Sequence, residues 1–182
     1  FQETVTLVDE NFLQIFDFPL IEGDRRTALK EPASIVITED LAMRIFSRTD
    51  VMGKNLQFSH LPFPLKITGI LKNLPDNSSF DFNNLMSESS GYSFDFFKRA
   101  METDWASTSF SVYTLLRPDS NPDTVAVKMS KLVLSNFEPE KGTSLSYALQ
   151  PLTDIHLKSA GILDGARNAN VGGMAQGNPV YL

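Results

Sequence analysis

The stretch between residues 34 and 71 constrains the fold most, because two strand patterns enclose one helix pattern in it. It opens with the β-branched run SIVI at residues 34–37, which predicts a buried strand. Thr38 follows and can cap a helix. The apolar positions of that helix form one stripe, made of Leu41, Ala42, Ile45 and Phe46. Residues 63–71 then alternate between two faces, as a strand does. The stretch predicts a mixed α/β domain of the α+β class, with this helix packed on neighbouring strands.

The residues before this stretch predict a strand, a short helix and a linker. Residues 4–8 fit a first strand. Asp9 can cap a helix that Pro19 prevents from continuing. The buried face of this helix is expected to hold Phe12, Ile15 and Phe16. Residues 22–24, Glu-Gly-Asp, are typical of a turn, and residues 24–32 are rich in charge and proline, as a linker is.

The residues after the stretch predict a second unit. The run Pro-Asp-Asn-Ser-Ser at residues 75–79 interrupts regular structure and is the expected boundary. Strands are expected at residues 80–86, 109–116 and 144–149. Helices are expected at residues 93–103 and after Asn121, where a proline occupies a position that the first helical turn tolerates. Residues 161–179 are rich in Gly, Asn and Ala and are expected to lie outside the packed core.

Composition excludes several classes of function. The 182 residues carry a net charge of −6 and include no cysteine. An acidic chain lacks the clustered Lys and Arg that nucleic acids or anionic lipids require. The absence of cysteine excludes disulfides and thiolate sites. No run of about 18 apolar residues occurs, so the sequence predicts no membrane-spanning helix within these residues. The first residue is Phe1, and we expect the chain to be a fragment of a longer protein.

No combination of residues predicts a catalytic, cofactor-binding or metal-binding site. His60 and His156 do not lie at a spacing that binds a metal. The acidic pairs at residues 9–10 and 39–40 fit helix starts, where carboxylates favour the positive end of the dipole. Residues 119–123 lack the glycine and the final glutamate of a calcium-binding loop. We therefore predict no catalytic residue, no cofactor and no metal ligand.

Aromatic residues are expected to build the core. The fourteen phenylalanines recur at core periodicities, and only those around residues 94–97 are candidates for a ligand-facing role. Trp105 is expected to be a packed anchor rather than a platform for a sugar. The pair Gly172-Gly173 has neither the preceding strand nor the following Lys-Thr of a phosphate-binding loop.

The order of these patterns resembles one family. The chain carries a D-x-x-F helix from Asp9, a G-D turn at residues 23–24, and an apolar stretch of the type V-x-x-T-x-x-x-A-x-x-x-F around Thr38. An x-G-K turn follows at Gly53, and a strand of the type F-x-V-T-G-V begins at Phe63. In order and spacing these residues resemble the MacB-like periplasmic core domain of ABC transporter permeases, whose transmembrane part is FtsX-like.

The resemblance implies a two-lobed domain over residues 1–160. Residues 12–74 would form an inserted, mostly β, sabre-like lobe, and residues 4–8 with 80–157 would form most of a porter-like α/β lobe. The family also leads one to expect a further strand upstream. Residues 161–182 would be a Gly-rich tail that leads toward a transmembrane helix. The last five residues, 178–182, resemble the G-N-x-x-Y run that precedes this helix, whereas residues 168–176 depart from the family pattern.

The resemblance also implies a role. The domain would lie on the periplasmic side of the cell inner membrane, between two transmembrane helices of an efflux or transport permease. It would be non-catalytic and would couple cytoplasmic ATP hydrolysis to periplasmic movement, export or mechanotransmission. Its partners would be the transmembrane helices of the same permease, a cytoplasmic ATP-binding subunit, a second permease copy, and a periplasmic adaptor or substrate, with no nucleic acid.

Two other classes of function stay open at this point. The first is a stand-alone extracytoplasmic module that binds a ligand or acts as a sensor. Hydrophobic helices of about twenty residues on both sides of the domain distinguish a permease from this class. The second is an enzyme whose site is distributed along the chain. Turnover that one carboxylate or histidine substitution abolishes distinguishes this class.

Overall fold

A computed structural model of the chain describes residues 3–75, 78–105, 110–139, 141 and 144–155. Six strands lie in these residues: β1 Thr6–Val8, β2 Leu20–Gly23, β3 Ser34–Thr38, β4 Asn55–Leu56, β5 Leu65–Leu71 and β6 Asn84–Ser87. The α-helices are α1 Phe12–Ile15, α2 Glu39–Phe46, α3 Asp95–Thr103, α4 Pro122–Leu134 and α5 Leu152–Ile155, and a 3₁₀ helix covers Glu88–Ser93. The mixed α/β class is thereby confirmed.

The strands form one mixed sheet in the order β1-β6-β3-β5-β2, with β4 paired to β5. Strands β3 and β5 are parallel, β1 and β6 are parallel, and the β3–β6 and β2–β5 pairs are antiparallel. Strands from both sides of the expected boundary at residues 75–79 therefore belong to the same sheet. The division into a sabre-like and a porter-like lobe stays a prediction.

Apolar side chains cover both faces of the sheet. On one face, α2 and the loop before β5 pack over a cluster that contains Ile35, Ile37 and Leu41. On the other face, α1 and the turns before β3 pack over a cluster that contains Val36 and Leu85. Strand β3 lies between the two clusters, and all five of its residues are buried. The β-branched run is buried because a central strand needs apolar side chains on both faces.

The helix α2 begins and ends as its sequence predicts. The Leu41 N–H donates to Thr38 Oγ1 at 3.3 Å, which confirms Thr38 as the cap. Asn73, which follows β5, adds a second cap because its Oδ1 accepts from the Asp40 N–H at 2.9 Å. The chain leaves the helix through Ser47, whose φ of 55° is left-handed. Local signals for the start of a helix thus agree with its tertiary surroundings.

Three expectations need correction around the sheet. The N-cap of α1 is Asn11 rather than Asp9, and the Asp9 carboxylate accepts from the Asn11 N–H at 2.6 Å. Gly23 belongs to β2 rather than to a turn, because residues 20–23 pair with β5. Within the expected linker, Ala28 and Leu29 are buried, since the turns there cover one face of the sheet.

The strands predicted at residues 109–116 and 144–149 are not part of the described sheet. Residues 110–117 and residues 144–150 belong to no strand of the described structure. The physical reason is that a strand is stable only beside a partner edge, and neither segment pairs with an edge of the described sheet. Between them, α4 begins as expected, with Asn121 Oδ1 accepting from the Thr124 N–H at 3.0 Å. Residue 109, the first of the expected strand at residues 109–116, lies outside the described residues, as does the tail from residue 156.

Candidate functional site

A cleft of about 280 Å³ opens beside β1, at the edge of the sheet. Strand β1, helix α1 and residues 110–113 line it. Residues 80–82, which precede β6, and Met101 of α3 also line the space. The cleft therefore combines segments that are about a hundred residues apart in the sequence.

Aromatic rings line most of this cleft. The ring centroids of Phe16 and Phe80 lie 4.8 Å apart, and the Tyr113 ring lies 5.1 Å from that of Phe16 and 5.7 Å from that of Phe80. Phe12 contacts Phe16 at 4.8 Å and Phe80 at 5.9 Å. Three of these five pairs are edge-to-face, an arrangement that aromatic quadrupoles favour, and the other two are tilted. We call the rings of Phe12, Phe16, Phe80 and Tyr113 the aromatic wall.

The local sequence explains how the aromatic wall is held. Phe12 and Phe16 are four residues apart, so they project from the same side of α1. Arg25 fixes the end of this segment, because its guanidinium donates to the Leu13 carbonyl oxygen at 3.2 Å and to the Phe18 carbonyl oxygen at 2.6 Å. The same guanidinium forms an ion pair with Asp17 at 2.8 Å. These hydrogen bonds and the ion pair therefore hold the segment that carries Phe12 and Phe16 in place.

Three carboxylates also line the cleft: Asp9, Asp81 and Glu88. The Glu88 side chain is half-buried at the start of the 3₁₀ helix. Burial raises the pKa of the Glu88 carboxyl above its ordinary value, and the nearby charge of Asp9 acts in the same direction. None of the ion pairs among the described residues involves these three carboxylates. The cleft is thus apolar on its walls and negative beside them.

The outer edge of the cleft exposes apolar side chains to solvent. Val112 is 74% exposed and Phe110 is 46% exposed, and both precede α4 in the segment that joins no strand of the sheet. Further along this segment Leu115 is also exposed, at 75%. Contiguous apolar surface of this kind marks ligand-binding or interaction sites more often than inert surface.

The residues weighed as candidate chemistry lie apart from each other. His60 is exposed in the loop before β5, with its ring 5.8 Å from that of Phe58. Asp40 forms an ion pair with Arg44 at 3.0 Å, one helical turn away. Trp105 is 37% exposed, which is more than a packed anchor would be. His156 and the pair at residues 172–173 lie outside the described residues.

No group of three or more His, Cys, Asp or Glu side chains in the described ranges could hold a metal ion. None of the helices in those ranges is both long and apolar enough to cross a bilayer. The aromatic wall is the feature that sequence reasoning missed. Its signal was the pairing of F-x-x-x-F-x-F at residues 12–18 with F-x-F at residues 80–82, which periodicity alone assigns to core.

A solved structure shares this fold. A domain of a candidate permease protein from Porphyromonas gingivalis superposes with a TM-score of 0.60 at 23% sequence identity. The match covers 83% of this chain and 63% of that domain, so the chain spans less than two thirds of its length. The periplasmic region of MacB from Actinobacillus actinomycetemcomitans matches with a TM-score of 0.46 at 13% identity, over 70% of this chain and 53% of that one.

Sequence comparison identifies the family. No curated protein sequence matches the chain. The profile of one family does match, and it covers residues 1–132, which include the whole sheet, the aromatic wall and most of α4. The matched region also includes the motifs from Asp9 to Phe63 on which the sequence resemblance mainly rests. The chain belongs to the family of MacB-like periplasmic core domains.

Proposed function

We propose that this chain is the extracytoplasmic domain of an ABC transporter permease and that it couples cytoplasmic ATP hydrolysis to movement on the periplasmic side. The observation that carries the proposal is the family match over residues 1–132. The permease would hold the domain by its transmembrane helices at the inner membrane. ATP binding and hydrolysis would belong to a separate cytoplasmic domain or subunit, and the domain itself would have no catalytic activity.

The packing supports a mechanical role. A sheet with both faces covered behaves as a rigid body, since close-packed interiors transmit displacement rather than absorb it. The first described residues are tied directly to this body. The Arg44 guanidinium of α2 lies 2.7 Å from the Glu3 carboxylate, and Asn84 Nδ2 donates to the Thr4 carbonyl oxygen at 2.9 Å. A displacement applied just before β1 would therefore move the sheet and α2 together.

Such a domain needs no active site, because it acts by shifting between positions. In a machine of this kind the nucleotide state biases an equilibrium between two arrangements of the permease, and the periplasmic domains follow. A second permease copy and a periplasmic adaptor or substrate are the partners that the proposal requires. Whether the movement serves efflux, export of another cargo or mechanotransmission depends on those partners.

Cysteine crosslinking in the full-length permease tests the proposal. The chain has no cysteine of its own, so each introduced cysteine is unique in this domain. We choose Phe96 of α3 and Val127 of α4, which are 70% and 53% exposed, and Met43 of α2 as a site on another face. Each single-cysteine permease is crosslinked between copies with and without ATP, and again with an ATPase-dead cytoplasmic subunit.

We expect the yield of crosslinks from at least one of the α3 and α4 positions to change with ATP. The change should be absent with the ATPase-dead subunit. If the crosslinking yield is the same with and without ATP at all three positions, a static scaffold or a simple binding module would describe the domain better. Full-length sequence without a hydrophobic helix of about twenty residues on each side of the domain would also contradict the proposal.

A stand-alone binding or sensor module is the second candidate function. The aromatic wall with three carboxylates beside it favours this candidate, because a domain that only transmits movement needs no ligand pocket. The flanking helices decide between the two candidates, as does the dependence of crosslinking on ATP. The presence of a ligand would not by itself exclude the permease.

A further inference from the structure

We propose that the cleft beside β1 is a binding site for a small organic cation with an apolar body, whose charge lies beside Glu88 and Asp9. The apolar body would lie against the aromatic wall. This inference goes beyond the proposed function, because it concerns binding by this domain alone. It holds or fails whether or not the domain belongs to a transporting permease.

The aromatic wall is more open than a core. Phe12, Phe80 and Tyr113 are only half-buried, although each contacts at least two other aromatic rings. By contrast, the two main clusters on the sheet contain leucine, isoleucine and valine side chains that are fully buried. The space in front of the wall, about 280 Å³, is close to the lower end of the range for small-molecule sites, roughly 300 Å³. An apolar molecule that enters it removes these rings from water.

The charge beside the wall selects a cation. Glu88 is half-buried, and Asp9, Asp81 and Glu88 all lack an ion pair within the described part of the chain. A second negative charge near a half-buried carboxylate is unfavourable until a cation neutralises both. Aromatic faces also attract cations through their quadrupole, and ammonium groups are the ligands for which proteins use such cages. An anionic ligand would meet repulsion at the same place.

The donor set indicates an organic cation rather than a metal ion. In the ranges that the structure describes, no three carboxylates or histidines converge as a metal ion requires. The walls around the carboxylates are mostly aromatic rings and aliphatic side chains, which offer few ligands to a hydrated ion. A molecule with one positive charge and a hydrocarbon body complements both the carboxylates and the aromatic wall.

Calorimetric titration of the chain tests this with three probes that share one alkyl chain. The probes are octyltrimethylammonium, 1-octanol and octyl sulfate, each kept below any micelle concentration. We expect the cation to bind about tenfold more tightly than the neutral alcohol, which corresponds to roughly 1.4 kcal/mol. The anion should bind more weakly than the alcohol, because the carboxylates repel it.

Variants locate the binding. Glu88→Gln should weaken binding of the cation about tenfold and leave binding of the alcohol unchanged, which also shows that the variant is folded. Glu31→Gln, at an exposed position in the turn before β3, is the matched control and should change nothing. Phe80→Leu should weaken the cation and the alcohol together, because it removes a face of the aromatic wall.

Several outcomes overturn the proposal. Equal binding of cation and anion would mean that the cleft binds apolar chains without selecting their charge. Cation binding that survives Glu88→Gln would place the site elsewhere. If no probe binds and sedimentation shows a dimer that Val112→Asp dissociates, a second copy of this chain occupies the cleft instead. If no probe binds and the chain is monomeric, the cleft is not a site for a small molecule.

Discussion

Gly23 lies so close to the backbone of Thr68 that a methyl group on its Cα would stand 2.7 Å from the Thr68 carbonyl oxygen and 2.9 Å from the Gly69 Cα. The φ angle of Gly23 is also +105°, a region that side chains rarely adopt. Gly23 is the end of β2, and Gly69 is its partner in β5. The antiparallel edge of the sheet thus depends on two glycines that face each other.

Gly23→Ala is expected to lower the free energy of unfolding by about 2–4 kcal/mol, because strain in the backbone adds to a clash with atoms that cannot move aside. Gly53→Ala is the matched control. Its φ is also positive, at 76°, but its Cβ would meet no atom within 4 Å. It should lower stability by about 1 kcal/mol. Urea denaturation of both variants checks the prediction, and equal effects would contradict the close contact at Thr68.

Removal of the Thr38 hydroxyl should destabilise the domain by about 1–2 kcal/mol. Thr38→Val keeps the shape of this buried side chain but leaves the Leu41 N–H without its acceptor. Thr38→Ser keeps the acceptor and should retain more than half of that free energy. Denaturant midpoints of the two variants are the measurement. A valine variant as stable as the wild type would show that the Asn73 side chain suffices as the cap of α2.

Leu41 and Phe46 of α2 should differ in their contributions to the free energy of unfolding. Leu41 is 1% exposed in the main cluster, so Leu41→Ala should cost about 2–5 kcal/mol. The sequence pattern predicts Phe46 as an equal core residue, but the structure leaves it half-buried, with Lys54 Nζ 5.2 Å from its ring centroid. Phe46→Ala should therefore cost less than Leu41→Ala. Chemical denaturation that ranks the two variants in the opposite order would contradict the packing of this helix.

The pH dependence of stability should carry the signature of Glu88. Burial, and secondarily the Asp9 charge, raise the pKa of Glu88 in the folded state. The folded protein then binds this proton more tightly than the unfolded chain does. The Glu88 contribution to stability is therefore complete below the ordinary pKa and is lost as pH rises through the raised pKa.

Glu88→Gln removes this titration. Relative to the wild type, the variant should gain free energy of unfolding between pH 4 and pH 7. Asp9→Asn should produce a smaller change in the same direction, because Asp9 is the secondary cause. Urea denaturation of the three proteins at both pH values gives the comparison. A difference between Glu88→Gln and wild type that is the same at pH 4 and pH 7 would mean that Glu88 is not in the environment described.

The sequence by itself determined the unit of β3, α2 and β5. Its signals are local: a β-branched run, a threonine cap and an alternating run. Each of them lies within a stretch of fewer than ten residues. The family resemblance added the family, which the family match confirms. Such signals suffice where burial and propensity agree along a short stretch, as they do from residue 34 to residue 71.

Only the tertiary structure decided which edges pair and which surfaces meet. Residues 110–117 have the alternation of a strand, yet they belong to no strand of the described structure, because pairing depends on a partner that the segment itself does not encode. Strand β2 has mostly exposed residues, and the sequence predicts a turn at its last two, because its stability comes from pairing with β5 rather than from its own pattern. The aromatic wall joins Phe12 to Tyr113 across a hundred residues, and periodicity assigns each ring to core without saying which rings stay half-exposed. Burial of Glu88 beside Asp9 has the same origin: a carboxylate acquires its environment from residues far away in the chain.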